Sequence, residues 1–364
     1  MMPQKPAQLK ATLKNVSERL LRPGNLITGG KTPSDIVYEN ELIKVLHYRP
    51  DRAAIARNSR YAVPLVIVPP LAINNLIYDW FPDRSFVRFM LAQGFDVYLV
   101  DWGSPTRKHA HYTLNTYVSH LLPLCLQHVR QHSGRRELTL HGWSMGGGLA
   151  LCYQALSQDK LIRNIITIGT AVDGHANGQI GRQYAVINRG LKKIGFNLSK
   201  VPARWVYAPA WANVIGFKLS DPVSSVQGYV DLIRNLDDRE FMARHANQSA
   251  FMDNLEAYPG GVIRDWMYSI WLENEAARGY ITLDNTRAYF KDVDANLLCI
   301  AGSNDKLANQ HCCKPLMNMV GSEDKQYLLC EGGHTGIVSG KRAPEQIWPQ
   351  ISAWLASRSK PYAG

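Results

Sequence analysis

The run Leu138-Thr139-Leu140-His141-Gly142-Trp143-Ser144-Met145-Gly146-Gly147-Gly148 limits what this chain can fold into more than any other part of it. A short apolar stretch enters G-x-S-x-G, and Leu149, Ala150 and Leu151 follow as helix formers. That order spells strand, sharp turn, helix. The glycines have a steric role. Ser144 must take a positive φ, and a side chain at 142 or 146 would collide with a neighbouring strand or helix. The turn lifts the serine hydroxyl clear of the sheet. It also leaves the Met145 N–H at a helix N-terminus, facing any negative charge that develops beside the serine.

Two later segments make a constellation of this motif. The apolar run Ala295-Asn296-Leu297-Leu298-Cys299-Ile300-Ala301 ends in Gly302-Ser303-Asn304-Asp305-Lys306. The run Gln326-Tyr327-Leu328-Leu329-Cys330 ends in Glu331-Gly332-Gly333-His334-Thr335-Gly336. An acid past one strand and a histidine past the next follow the Ser…Asp…His order of the α/β-hydrolase fold. Ser144 is a poor nucleophile at neutral pH and needs a base. His334 can be that base, and Asp305 can hold its tautomer and stabilise the imidazolium. Asp305 could also be an ordinary turn residue, because Ser-Asn-Asp is good turn chemistry. Its competitors Asp284, Asp292 and Asp294 all precede the strand, on the wrong edge of a parallel sheet. His141 reads as a satisfied strand histidine, while His109, His111 and His175 could line a cleft, which no motif around them marks. For the oxyanion, the expected donors are the Met145 N–H and one from the Leu71/Ala72 turn.

Elsewhere, Leu42 to Tyr48 alternates like an edge strand. Leu65-Val66-Ile67-Val68, Phe95 to Val100 and Ile165 to Gly169 read as buried strands. Strands alternating with helical patterns imply a mostly parallel sheet with helices on both faces. Residues 1–40 read as a polar, helical leader, with Leu9, Leu13, Val16 and Leu20 at helical spacing. The core then spans 41–174 and 284–364. The interval 175–283, helical and rich in Trp and Tyr, reads as an inserted cap.

Composition excludes several classes. The 364 residues carry a net charge of +11, yet the basic residues are scattered and no nucleic-acid motif accompanies them. A positive surface suits an anionic substrate such as an acyl-coenzyme A, or an acidic coating. The cysteines, Cys125, Cys152, Cys299, Cys312, Cys313 and Cys330, show no metal-binding spacing and fall largely in apolar runs, as reduced thiols of a cytosolic protein would. The opening Met-Met-Pro-Gln-Lys-Pro lacks an apolar signal core, and no run has the length of a membrane span.

Val68-Pro69-Pro70-Leu71-Ala72-Ile73-Asn74, followed by Tyr78-Asp79 and Ser85-Phe86-Val87, resembles the opening of the polyhydroxyalkanoate synthases. Gly94 to Tyr98 running into Asp101-Trp102-Gly103-Ser104-Pro105 is similar, most like the two-subunit class with its short catalytic chain. The likeness extends through the elbow, Asn274 with Gly279, Gly302…Asp305 and Gly333-His334-Thr335-Gly336, covering about residues 40 to 355. It implies a capped α/β-hydrolase-fold acyltransferase that polymerises hydroxyacyl-coenzyme A through a covalent acyl-enzyme. Two positions depart from that family: Ser144 stands where it uses cysteine, and Lys306 where it usually carries histidine. A thiolate suits repeated thioester exchange, whereas a serine ester suits attack by water or an alcohol.

The expectation is therefore a cytoplasmic or granule-associated serine hydrolase acting on hydroxyalkanoate esters, oligomers or acyl-thioesters. A synthase or acyltransferase using hydroxyacyl-coenzyme A is the alternative. The third reading, a non-catalytic granule-associated or partner-binding protein, is disfavoured by the intact Ser144, Asp305 and His334. No cofactor, metal or nucleic acid is expected. The expected partners are a small or oligomeric acyl substrate, a polymer granule surface or partner subunit, and a second copy in a homodimer.

Overall fold

In Leu65–Val68, neighbouring side chains point to opposite faces, so a strand apolar at every position must be covered on both sides. The computed structural model of the chain, which describes residues 6–50, 61–220 and 222–360, supplies both covers. Leu65 and Ile67 join Leu99, Ile166 and Ile300 beneath the helices Phe86–Ala92 and Trp348–Ala356. Val66 and Val68 join Leu138 and Leu140 beneath Leu122–Ser133 and Met145–Ser157. The start of the expected leader (1–5), part of the first core segment (51–60), cap residue 221 and the end of the chain (361–364) lie outside the described residues.

The strands are β1 Ser34–Glu39, β2 Lys44–Tyr48, β3 Leu65–Val68, β4 Asp79–Phe81, β5 Arg84–Ser85, β6 Val97–Asp101, β7 Leu138–Trp143, β8 Ile162–Ile168, β9 Tyr280–Leu283, β10 Thr286–Tyr289, β11 Asn296–Gly302 and β12 Lys325–Cys330. The main sheet runs β1-β2-β6-β3-β7-β8-β11-β12, with β4/β5 and β9/β10 as separate hairpins. The β1/β2 and β2/β6 pairs are antiparallel, and every other pair in that sheet is parallel. Register decides where the site falls. Val68 pairs with Gly142, Trp143 with Ile168, Ile300 with Ile168, and Gly302 with Cys330. The loops holding Leu71 and Ala72, Ser144, Asp305 and His334 therefore all leave one edge, the carboxyl edge where open α/β sheets bind ligands.

Two expectations about the beginning of the chain are corrected. The leader is not outside the core: Ser34–Glu39 pairs with β2, so β2 is an interior strand and β1 takes the edge. The helix Pro6–Leu21 forms, but it does not bury its leucine stripe. Leu9, Leu13 and Leu20 are exposed, and among the described side chains of the helix Asn15 is the buried one, its amide donating to the Leu236 carbonyl at 2.9 Å. A polar side chain that satisfies a carbonyl of the helical insertion docks this helix, and helical spacing of leucines does not reveal that. Close by, Leu26 packs with Leu232, Met242 and Ala246.

Between β8 and β9 the chain is helical, including Gly178–Lys193, Ala210–Ser220, Pro222–Arg234, Arg239–Met252 and Gly260–Trp266. Asn274 knots the two ends of this insertion together. Its Oδ1 accepts the Gly174 N–H at 2.9 Å and its Nδ2 donates to Asp173 at 2.8 Å.

Candidate active site

Ser144 occupies the turn between β7 and the helix Met145–Ser157 with φ +53, the left-handed region that a residue with a side chain seldom takes. Its backbone is fixed on both sides: its N–H donates to Ile168 O at 2.7 Å, and its carbonyl accepts from Thr170 Oγ1 at 3.0 Å. Gly146 lets the turn sit against β3. A Cβ there would lie 2.0 Å from Val68 O. Met145 opens the helix, so its N–H is one of the first-turn donors that have no acceptor within the helix.

Asp305 and His334 meet at the same edge. The His334 Nδ1 lies 2.7 Å from Asp305 Oδ2. The other oxygen, Oδ1, accepts the N–H groups of Leu307 and Ala308, each at 2.8 Å. The acid side chain is fully buried, whereas the imidazole keeps 12% of its surface open. The carboxylate can thus orient the ring, and the ring remains reachable by a substrate. With Nδ1 donating to Asp305, Nε2 is left as the acceptor that a general base needs. The Trp143 ring, one residue before Ser144, lies 5.3 Å from the His334 ring and walls that side.

Residues outside the sequence motifs assemble this geometry. Gly169, just past β8 with φ +56, packs tightly in a conformation that favours glycine: a Cβ would lie 3.2 Å from His334 Nδ1 and 3.3 Å from Asp305 Oδ2. Its neighbours Ile168 and Thr170 hold the Ser144 backbone, so this short segment borders Ser144, His334 and Asp305. Asn177 braces the acid loop. Its amide donates to Lys306 O and Leu307 O, and its Oδ1 accepts the Asn309 N–H. Lys306 itself is exposed. Only a glycine directly after a buried strand could have signalled Gly169.

The rival carboxylates lie elsewhere. Asp284 turns the β9/β10 hairpin and binds the Asn115 amide at 2.7 Å. Asp294 receives Gln154 and Lys160, and Asp292 lies in the short turn that precedes β11. His109 accepts the Thr106 N–H, His175 Nε2 meets the Trp271 and Leu272 carbonyls, and His111 is exposed.

His141 departs from its expected satisfaction. It is buried, and neither ring nitrogen has a hydrogen-bond partner. The ring packs against Phe86 at 4.7 Å, and burial pushes its pKa down to about 4. All six cysteines are free and buried, and burial pushes the thiols of Cys125, Cys152 and Cys299 up to about 12. Thiols so reluctant to ionise do not compete with Ser144 as nucleophiles. Among the described residues no cluster of three metal-ligating side chains occurs.

At the turn after β3, Leu71 and Ala72 are buried, and Ala72 has φ +64. The upstream end of this turn is tied down by Trp102 Nε1, which donates to Pro69 O at 2.8 Å.

Residues 83–335 match the family described as serine aminopeptidase, S33, and residues 8–90 match the N-terminus of poly-beta-hydroxybutyrate polymerase (PhaC). The poly(3-hydroxyalkanoate) polymerase subunit PhaC of Haloferax mediterranei is 30% identical over 92% of this chain and 66% of its own length. Its counterpart from Haloarcula marismortui is 27% identical over 96% of this chain and 73% of its own. That of Allochromatium vinosum is 28% identical over 91% and 90%. The chain thus spans about two thirds of the Haloferax relative. Among solved structures, an α/β-hydrolase fold protein from Chitinophaga pinensis superposes with a TM-score of 0.50 at 13% identity, covering 91% of this chain and 99% of that one.

Proposed function

We infer that this chain, which belongs to the α/β-hydrolase family and to its polyhydroxyalkanoate-synthase-like group, forms an acyl-enzyme on Ser144 and passes a hydroxyacyl group to an acceptor hydroxyl. The observation that carries this reading is the Asp305–His334 hydrogen bond at the edge where Ser144 leaves β7. His334 takes the Ser144 proton as the oxygen attacks the carbonyl, then returns it to the leaving group. The Met145 N–H and one from the Leu71/Ala72 turn receive the oxyanion. The acceptor hydroxyl, deprotonated by the same imidazole, then attacks the serine ester, and the imidazolium returns that proton to the Ser144 oxygen as it leaves. The acyl donor is a hydroxyacyl-coenzyme A, an anion suited to a chain of net charge +11.

Sequence alone ranks hydrolysis first. The resemblance of nearly the whole chain to polymerase subunits favours acyl transfer to a growing ester, and this replaces hydrolysis as the leading reading. Hydrolysis stands second on one observation, the serine itself. A serine ester suits attack by water as well as by an alcohol, whereas repeated exchange between thioesters suits a thiolate. The whole chain incubated with 3-hydroxybutyryl-coenzyme A, and separately with hydroxybutyrate oligomers, decides between them. Thiol release with insoluble polymer supports transfer, and thiol release or oligomer cleavage without polymer supports hydrolysis. No reaction with either substrate overturns both.

A further inference from the structure

The helical insertion holds the turn after β3 at one carbonyl. Ala72 O accepts from the Asn213 side-chain amide at 2.9 Å and from the Glu256 N–H at 3.1 Å. The Asn213 amide also donates to Glu256 O at 3.0 Å, so one side chain ties two segments of the insertion to the turn. Asn74 adds to the clamp, donating to Phe251 O at 2.8 Å and Asn254 O at 3.0 Å. The Glu256 carboxylate also meets the Ser104 hydroxyl. Ala72 at φ +64 is in a conformation that a Cβ makes unfavourable, and such a conformation persists only where surroundings impose it.

We propose that Asn213 is a positioning residue that couples seating of the insertion to the oxyanion donors beside Ser144. The Pro69 carbonyl, held by Trp102, anchors the turn upstream, and the Ala72 carbonyl anchors it downstream. With both ends pinned, the left-handed φ at Ala72 sets the angle between the two peptide planes on either side of it. One of these carries the Ala72 N–H. Lifting the insertion removes both donors from Ala72 O, the alanine relaxes to negative φ, and its N–H rotates away from the reacting carbonyl. The enzyme then stabilises the tetrahedral intermediate only while the insertion is seated on the Ala72 carbonyl. This rests on the acyl-enzyme reading above.

The test uses the full chain, p-nitrophenyl butyrate and a fluorophosphonate, whose phosphoryl oxygen occupies the oxyanion position when it labels serine. Asn213→Ala should lower kcat roughly 10- to 100-fold, below the full loss of an oxyanion donor. KM should stay within about two-fold, the labelling rate of Ser144 should fall in parallel, and the thermal midpoint should hold. If Asn213→Ala fails to fold, Asn213→Asp keeps the size and removes the donor. In an Ala72→Gly background the same change should cost much less, because glycine adopts the left-handed conformation freely. An equal loss in both backgrounds, or a raised KM at unchanged kcat, overturns the coupling. Labelling of Ser144 at the unaltered rate in Asn213→Ala also overturns it and leaves the acyl-enzyme reading intact. A native chain that takes no label at Ser144 refutes that reading itself.

Discussion

Asp305 binds His334 at 2.7 Å with a side chain that solvent does not reach, and its second oxygen is filled by the Leu307 and Ala308 N–H groups. This acid has no freedom to serve another partner. Asp305→Asn should keep the fold, because an amide oxygen can still accept from the loop. It should hold the wrong imidazole tautomer and lower turnover by about 10⁴. Asp284→Asn and Asp294→Asn, remote from the ring, should leave turnover within a few-fold. Steady-state kinetics on one ester compares all three variants, and a fall confined to either of the latter two would move the acid there.

Ser144 should be the residue that carries the acyl group. Ser144→Ala should lose about 10⁴–10⁶ of the rate. Intact-mass measurement after brief exposure to hydroxybutyryl-coenzyme A should find the adduct on the native chain and none on the variant. Ser144→Cys should slow oxoester cleavage and speed acyl exchange with thioesters, since a thiolate attacks and leaves more readily. Full ester turnover by Ser144→Ala would remove the serine from the mechanism.

His141 should make the fold acid-sensitive. Burial holds its pKa near 4, below the ordinary 6.5. The unfolded chain therefore takes up a proton that the folded chain refuses. Stability is fully present above pH 6.5 and is lost as the pH falls from 6.5 towards 4, by ~3 kcal/mol for this group. The difference in denaturant midpoint between the native chain and His141→Leu should be constant above pH 7 and change progressively in favour of His141→Leu as the pH falls from 6.5 towards 4. Parallel pH profiles would exclude His141 as the source.

Gly146→Ala should damage both fold and activity. Its Cβ would lie 2.0 Å from Val68 O and 2.8 Å from the Pro69 carbonyl carbon, and both contacts are backbone atoms that cannot swing aside. A loss of about 1–3 kcal/mol in unfolding free energy is expected from such overpacking, with activity falling further as the Ser144 turn shifts. By contrast Gly190→Ala, in an open helix with nothing within 4 Å of the new Cβ, should be neutral or stabilising. Paired melting curves test the contrast.

The elbow, the buried strands and the order of Ser144, Asp305 and His334 were legible in the sequence, because each is a local pattern. An apolar run between turn residues reads as a buried strand, G-x-S-x-G needs only its flanks, and an acid or histidine directly past a strand inherits that strand's edge. What local pattern does not carry is partner choice. Ser34–Glu39 became the edge strand because β2 offered it an open side, and Asn15 rather than Leu9, Leu13 or Leu20 met the insertion because the Leu236 carbonyl lay opposite. His141 has no hydrogen-bond partner for the same reason: what its face meets is the Phe86 ring, from the helix Phe86–Ala92. Gly169, Asn177 and Asn213 owe their importance to contacts with residues distant along the chain. Spacing along a strand or helix fixes which face a side chain takes, but only packing of separate segments decides what that face meets.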